Sequence, residues 1–275
     1  MASFIETYYN NRIFKQNKNW LAVVCGETGS GKSYSALKMA EMCDPSFNVN
    51  RVIYTPEDFM SVLDTRLKSG NIIIWDEAGV GLPAREWYSI SNKAIDYVLQ
   101  TFRHENLGVI FTTPSFSFID VQARKLFHSY FETQFINYNA GYVRLKWLLI
   151  QDNPRLNKIY YHYPKHVKDG RTITISRVNI YKPSDKLIKA YEKKKKNYTR
   201  ALKENTKETI ASSQKKEIDL DEVEEMIRAN PEPYIKEYKQ RRFVDPTAIM
   251  NEFGIGSIRA KKVKERVERD LLNGE

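Results

Sequence analysis

From Leu21 to Ile150 the chain alternates short unbroken apolar runs with longer stretches in which apolar residues recur every three or four positions. The runs Leu21–Cys25, Val52–Thr55, Ile72–Trp75 and Val109–Thr112 predict strands, Leu21–Cys25 a buried one and Ile72–Trp75 one covered on both faces, because a strand with one wet face would alternate apolar and polar residues. Ser33–Met42, Pro56–Leu67, Ile90–Arg103 and Val121–Phe127 predict helices. Ala94, Ile95, Val98, Leu99 and Phe102 line one side of the third of these. Tyr130–Ile136 and Tyr142–Ile150 predict further strands. Lys158–Tyr163 and Thr172–Tyr181 predict a strand pair joined through Asp169-Gly170. Strands alternating with helices argue an α/β layer fold: a mostly parallel sheet with flanking helices over residues 1–185.

The pattern changes after Pro183. Residues 186–218 carry the run Lys193 to Lys196 and few large apolar side chains, which predicts a charged helical linker. Periodicity returns in residues 219–275. Asp219 and Glu222 form a capping-box pattern ahead of Val223, Met226 and Ile227. Asp245-Pro246 predicts an N-cap and first turn, Gly254-Ile255-Gly256 a tight turn, and Ser257 the cap of a helix striped by Ala260, Val263, Val267 and Leu271. Two short helices about a glycine turn predict a small all-α domain of helix-turn-helix type.

The segment Gly26-Glu27-Thr28-Gly29-Ser30-Gly31-Lys32-Ser33 fits the pattern G-x-x-x-x-G-K-[ST] in full, and lies between a predicted strand and a predicted helix. Glycines let the backbone curl so that successive N–H groups face phosphate oxygens, and the following helix adds the positive end of its dipole. Lys32 is expected to reach the β- and γ-phosphates of ATP, and the Ser33 hydroxyl to bind Mg²⁺. A strand ending Ile72-Ile73-Ile74-Trp75-Asp76-Glu77 supplies the complementary acids. Asp76 is expected to hold the Mg²⁺ shell and Glu77 to polarise the attacking water. Thr112 or Thr113, at the tip of the next predicted strand, is placed to sense the terminal phosphate. Arg103 is a candidate arginine finger, with Arg85 and Arg124 as rivals, or else a charge matching its helix dipole.

The 275 residues have 41% hydrophobic composition, enough for a packed α/β domain with an appendage. Cys25 and Cys43 fit small buried residues in a reducing compartment. No run of 18 apolar residues occurs and the first residues lack the basic-then-apolar order of a secretory signal, so a cytoplasmic protein without a membrane span is expected. A formal net charge of +10 favours a polyanionic partner. Arg259, Lys261, Lys262, Lys264 and Arg266 in the last predicted helix are candidate DNA contacts, or one wet face of an ordinary amphipathic helix. The cluster Lys158, Tyr160, Tyr161, Tyr163, Lys165, His166 and Lys168 reads first as the polar face of a hairpin. His162 and His166 flank Pro164, which removes the helical spacing that shared metal ligation would use.

The order GETGSGKS, IIIWDEAG and FRHENLGVIFTTPS, across about residues 15–130, resembles the FtsK/HerA class of motor ATPases, which includes viral genome-packaging, conjugation and Zot-like assembly proteins. The Asp76–Glu77 pair matches that class, as does Arg103 ahead of Leu107 and Gly108. Thr112-Thr113-Pro114-Ser115 departs from it, because the class ends this strand in Thr-Gln. The resemblance implies DNA translocation by a homo-oligomeric ring, six-membered by analogy, with Glu77 and Arg103 acting across a subunit interface on duplex DNA. Two other readings stay open: an ATP-controlled DNA-binding switch and a Zot-like particle assembly or extrusion ATPase.

Overall fold

The computed structural model describes residues 3–77, 105–119, 121–215, 220–238 and 241–271. The expected helix over Ile90–Arg103 and the candidates Arg85, Arg103 and Asp219 lie outside the described residues. The chain divides into two compact units, Met1–Tyr198 and Thr199–Glu275.

The first unit opens with α1 (Phe4–Asn10), which runs on through a wider helical turn at Asn11–Lys15. Ser3 and Glu6 cap each other's backbone N–H, and Ile5, Tyr9 and Ile13, four apart, bury one face. There follow β1 (Trp20–Cys25), α2 (Lys32–Cys43), β2 (Val52–Ile53), α3 (Pro56–Leu63), β3 (Ile72–Trp75), β4 (Gly108–Thr113) and the single turn α4 (Val121–Arg124). Next come β5 (Ser129–Asn137), β6 (Tyr142–Asn153), β7 (Lys158–His162), β8 (Lys165–Lys168), β9 (Arg171–Thr174), β10 (Arg177–Tyr181) and α5 (Asp185–Lys215). Strands β2, β3, β4, β1 and β5 lie side by side in that order and are all parallel, and β6 pairs antiparallel with β5. This is a mixed α/β architecture with a mostly parallel central sheet.

Two apolar layers explain the unbroken runs in the sequence. Ala22, Val24, Ile72, Ile74 and Ile110 face a core shared with Ile5, Tyr9, Leu37 and Tyr191. Leu21, Val23, Ile73, Trp75, Val109 and Phe111 face the opposite core with Phe59 and Phe127. Every residue of β1, β3 and β4 is therefore buried on one face or the other.

Three expectations are corrected here. Lys158–Tyr163 and Thr172–Tyr181 do not pair with each other. The twelve-residue β6 is long enough to take two partners on the edge away from β5: β10 runs along Tyr142–Lys146 and β7 along Leu149–Asn153. The Asp169-Gly170 turn instead joins β8 to β9, with both residues at positive φ of 50° and 73°. The helices expected to reach Leu67 and Phe127 stop at Leu63 and Arg124. The helix read as a solvated linker also joins the core at its start, where Leu187 and Tyr191 are buried in the first unit.

The start of β1 is tied to the start of β5 by a histidine. The Leu21 N–H donates to His128 Nδ1 at 2.9 Å, and the His128 N–H returns to the Leu21 carbonyl at 2.8 Å. Burial holds this imidazole well below 6.5, with Arg12 and Lys18 adding to the shift. The folded state thus binds fewer protons than the unfolded chain below about pH 6.5, so the stabilisation is complete above that pH and is lost as the pH falls. Melting temperature is expected to drop between pH 7 and pH 5, and less steeply in His128→Asn, whose amide oxygen can still accept from Leu21. Equal slopes in calorimetric scans of the two proteins would remove His128 from the acid response.

The second unit contains α6 (Leu220–Ala229), the antiparallel pair β11 (Ile235–Tyr238) and β12 (Arg241–Val244), α7 (Pro246–Phe253) and α8 (Ser257–Leu271). The strand pair overturns the all-α expectation. Its two arms are only four residues long and rich in charge, so they gave no apolar period to read. Val223, Ile227, Tyr234, Val244, Ile249 and Val263 form its core. Asp245 accepts the Thr247 N–H at 2.8 Å with Pro246 in the first turn, and Gly254, at φ 62°, ends α7.

Candidate functional site

Strand β1 delivers Cys25 to the edge of the core, and the chain then turns back on itself through Gly26, Gly29 and Gly31 at φ of 152°, 79° and 88°. A Cβ at Gly26 would stand 1.8 Å from Thr133 Oγ1, so only glycine fits the close approach of the loop to β5. Thr133 sits at an irregularity in the β5–β6 ladder, and its hydroxyl lies 2.9 Å from Ser30 Oγ. Ser30 Oγ and Lys32 Nζ each donate to the Glu27 carbonyl at 2.7 Å, closing the loop on itself. Helix α2 starts at Lys32, so Lys32 and Ser33 stand at its positive end. Burial lowers the Lys32 ammonium below the ordinary lysine range, against the opposing pull of Glu77 and Asp76.

Strand β3 ends in the two acids. Asp76 is completely buried, and its N–H donates to the Ile53 carbonyl on β2 at 2.9 Å. Glu77 has φ of 53°, a left-handed backbone that costs a non-glycine residue roughly 1–2 kcal/mol. One hydroxyl fixes both acids: Thr112 Oγ1 donates to Asp76 Oδ1 at 2.7 Å and accepts the Glu77 N–H at 2.9 Å. Thr112 is thus turned toward the acid pair. Thr113 borders the cavity instead, donating to the Ser115 carbonyl at 3.1 Å.

The loop, Glu77 and Thr113 line one cavity of about 820 Å³. Thr28, Gly29, Gly31, Lys32 and Ser33 form one wall and Glu77 and Thr113 another, while Tyr142, Val143 and Tyr181 enter from β6 and β10. The first unit's part of α5 completes it with residues that sequence reasoning missed. The Tyr191 hydroxyl donates to Asp76 Oδ2 at 2.6 Å and lies within hydrogen-bond reach of Ser33. Lys195 Nζ sits 2.8 Å from Glu77 Oε1 and 3.4 Å from Asp76 Oδ2. Burial, then Asp76, keep the Tyr191 phenol protonated by pushing it above its ordinary range. For Lys195, burial lowers the ammonium, but Asp76 and Glu77 outweigh it and hold it above the usual lysine value. The missed signal is the spacing Leu187, Tyr191, Lys195, one helical turn apart each time, which marks a face directed inward.

The Asp76 carboxylate thus has the Thr112 hydroxyl on one oxygen and the Tyr191 hydroxyl with the Lys195 ammonium on the other. The donor set of Ser33 hydroxyl and Asp76 carboxylate is hard oxygen throughout, which fits Mg²⁺ with phosphate and water oxygens completing its shell. Among the described residues no group of three or more His, Cys, Asp or Glu side chains could hold a metal ion by itself.

The remaining candidates are dispersed. Arg124 donates to the carbonyls of Ile119 and Ser117 at 2.7 and 3.1 Å, so its guanidinium is committed to its own loop. In the second unit Arg259, Lys261 and Lys262 are exposed on α8. Lys264 pairs with Glu268 at 3.6 Å and lies over the Phe243 ring, while Arg266 bonds Glu224 at 2.9 Å and Asp221 at 3.1 Å. Arg266 therefore ties α8 to α6. Both cysteines are buried free thiols, and burial pushes Cys25 up to about 12. Among the described residues no helix is long and apolar enough to cross a membrane.

No protein-family profile and no curated protein matches this sequence. Among solved structures, the chain is similar to the N-terminal domain of zonular occludens toxin from Neisseria meningitidis, at 15% identity over 53% of this chain and 94% of that one, with a TM-score of 0.33. It is also similar to the genome packaging NTPase B204 of Sulfolobus turreted icosahedral virus 2 in complex with ATP-gammaS, at 17% identity over 53% and 97%, with a TM-score of 0.29. A third similarity is to the flagellar accessory protein FlaH of Methanocaldococcus jannaschii, at 10% identity over 59% and 98%, with a TM-score of 0.28. Likeness this remote leaves the chemistry to be read from the site itself.

Proposed function

We propose that the first unit binds Mg²⁺–ATP in the 820 Å³ cavity and hydrolyses it, and that the turnover drives movement of DNA, as in a translocation or genome-packaging motor. One observation carries the hydrolytic part. The glycine loop after β1 and Glu77 after β3 border the same cavity, and Thr112 of the intervening β4 holds both Glu77 and the buried Asp76 beside it. In this reading the main-chain N–H groups around Gly29–Ser33 take phosphate oxygens and Lys32 balances their charge. Ser33 and Asp76 hold Mg²⁺, and Glu77 accepts the proton of the attacking water. The metal supplies charge neutralisation on the phosphates.

The DNA part is supported by the net charge of +10 and by the exposed Arg259, Lys261 and Lys262 of α8, which suit phosphate contacts without sequence readout. Assembly into a ring, six-membered by the family resemblance, would let Arg103 serve a neighbouring copy's site. The purified protein is expected to release phosphate from ATP, to do so several-fold faster with duplex DNA, and to lose turnover in Lys32→Ala. Turnover that ignores duplex DNA would leave an assembly or extrusion ATPase and remove the motor. Absence of any Lys32-dependent turnover would sink the hydrolytic reading as a whole.

A further inference from the structure

The cation nearest the acid pair comes from outside the sequence motifs. Of the described ammonium groups that line the cavity, those of Lys32, Lys182 and Lys195, it is Lys195 that pairs with Asp76 and Glu77, at 3.4 and 2.8 Å. Its placement is enforced by the whole start of α5. Leu187 and Tyr191 are buried, the Ser184 N–H donates to the Glu41 carboxylate at 3.2 Å, and Tyr34 donates to Glu192 at 2.7 Å. Lys194 reaches the carbonyls of Val49 and Val52 on the neighbouring edge, and Tyr198 stacks on Tyr54 at 4.2 Å. Six anchors on four turns of helix are more than a solvated lysine run requires. They bring one ammonium, still about a quarter exposed at 27%, to the mouth of the site.

The charges say what that ammonium is for. In the free protein two carboxylates, Asp76 and Glu77, face two ammonium groups, Lys32 and Lys195, and the site is close to neutral. A triphosphate with one Mg²⁺ brings in net negative charge, so the loaded site needs Lys195 more than the free one does. The divalent ion at Asp76 also repels the ammonium from the place it holds against that carboxylate. Lys195 has a four-carbon stem, and in the proposed reading a water aimed by Glu77 would lie between Glu77 and the terminal phosphorus. Release from Asp76 therefore leaves the Lys195 ammonium within reach of the terminal phosphate oxygens while it stays beside Glu77.

We propose that Lys195 is the terminal-phosphate cation of this site, supplied in cis by α5: it stands in for the metal against Asp76 and Glu77 in the free protein and turns to the γ-phosphate when Mg²⁺–ATP binds. Tyr191 is its positioning residue, holding Asp76 Oδ2 and lying 3.0 Å from Lys195 Nζ. The inference rests on the nucleotide reading above and adds a discrimination between tri- and diphosphate that the glycine loop alone does not provide. It also provides a positive charge at the terminal phosphate that comes from the same chain.

The test is calorimetric titration of the full chain, in Mg²⁺, with the non-hydrolysable triphosphate AMP-PNP and with ADP. Lys195→Met is expected to lose at least about tenfold in AMP-PNP affinity, the range of one charged hydrogen bond, and to leave ADP affinity within about twofold. Lys195→Arg is expected to recover most of the loss. Without nucleotide, Lys195→Met is expected to melt below the parent protein, because the buried Asp76 carboxylate has lost its cation. Equal changes for both nucleotides, no change for either, or a gain in AMP-PNP affinity would each overturn the proposal, the last by making Lys195 a mere block. If the parent protein itself binds neither nucleotide, the nucleotide reading fails and this inference with it, a result separable from the others because it appears before any substitution.

Discussion

Glu77→Gln is expected to bind ATP about as well as the parent protein and to turn it over roughly 10²–10⁴-fold more slowly, the range that a positioned general base supplies. The substitution keeps the size of the side chain and keeps the backbone N–H that donates to Thr112. It removes the acceptor basicity that takes a proton from water. It also removes one partner of Lys195, so the amide variant retains Asp76 as the sole carboxylate on that ammonium. Binding measured by titration and turnover measured by phosphate release separate the two effects. Turnover near the parent value would take Glu77 out of the base role. Loss of binding together with turnover would mean that its contact with Lys195 is what the site needs.

Asp44→Ala is expected to cost the first unit about 3–5 kcal/mol, the loss typical of a buried ion pair deprived of one partner. Asp44 ends α2 and is 3% exposed. Its Oδ2 accepts Arg51 Nη1 at 2.5 Å and the Ile72 N–H at 2.9 Å, and its Oδ1 accepts the Ser46 N–H at 2.9 Å and the Ser46 hydroxyl at 2.7 Å. One carboxylate thus joins the far end of the helix that starts at Lys32 to the first residue of the strand that leads into Asp76. Removing it leaves a buried guanidinium without its counter-charge, holding only Ser46 through Nη2, and a strand N–H without its acceptor. For a domain of this size the melting temperature should fall by roughly 6–20 °C. Asp44→Ala with Arg51→Met should recover part of that drop, since it removes the uncompensated charge. A loss under about 1 kcal/mol would show that water replaces the carboxylate and that the pair is not structural.

The glycine loop and the acid pair of the candidate site were readable from residues because each is local in sequence. Glycines at 26, 29 and 31 and the lysine after them sit together in sequence, and Asp76-Glu77 ends an apolar run that could only be a buried strand. The parallel strands were readable for the same reason: residues covered on both faces need no partner to be identified. What escaped is what depends on a partner far away in the chain. The lysines at 193–196 look alike in sequence, yet Lys194 caps carbonyls of the β2 edge and Lys195 enters the cavity, because α5 lies across the ends of the strands. Thr112 and Thr113 were equal candidates in sequence, and strand alternation sends one hydroxyl to the acids and the other to the cavity. The pairing of β7 and β10 with β6 was set by the length of β6, which turn chemistry around Asp169-Gly170 does not report.

The single hydroxyl of Thr112 has one proton to give, to Asp76, and it receives one, from Glu77. A small slip of β4 along its neighbours would therefore disturb Asp76 and Glu77 in the same motion. That shared hydroxyl makes the ladder between Ile72–Trp75 and Gly108–Phe111 a single setting for two carboxylates, so a change of register there reaches both side chains together.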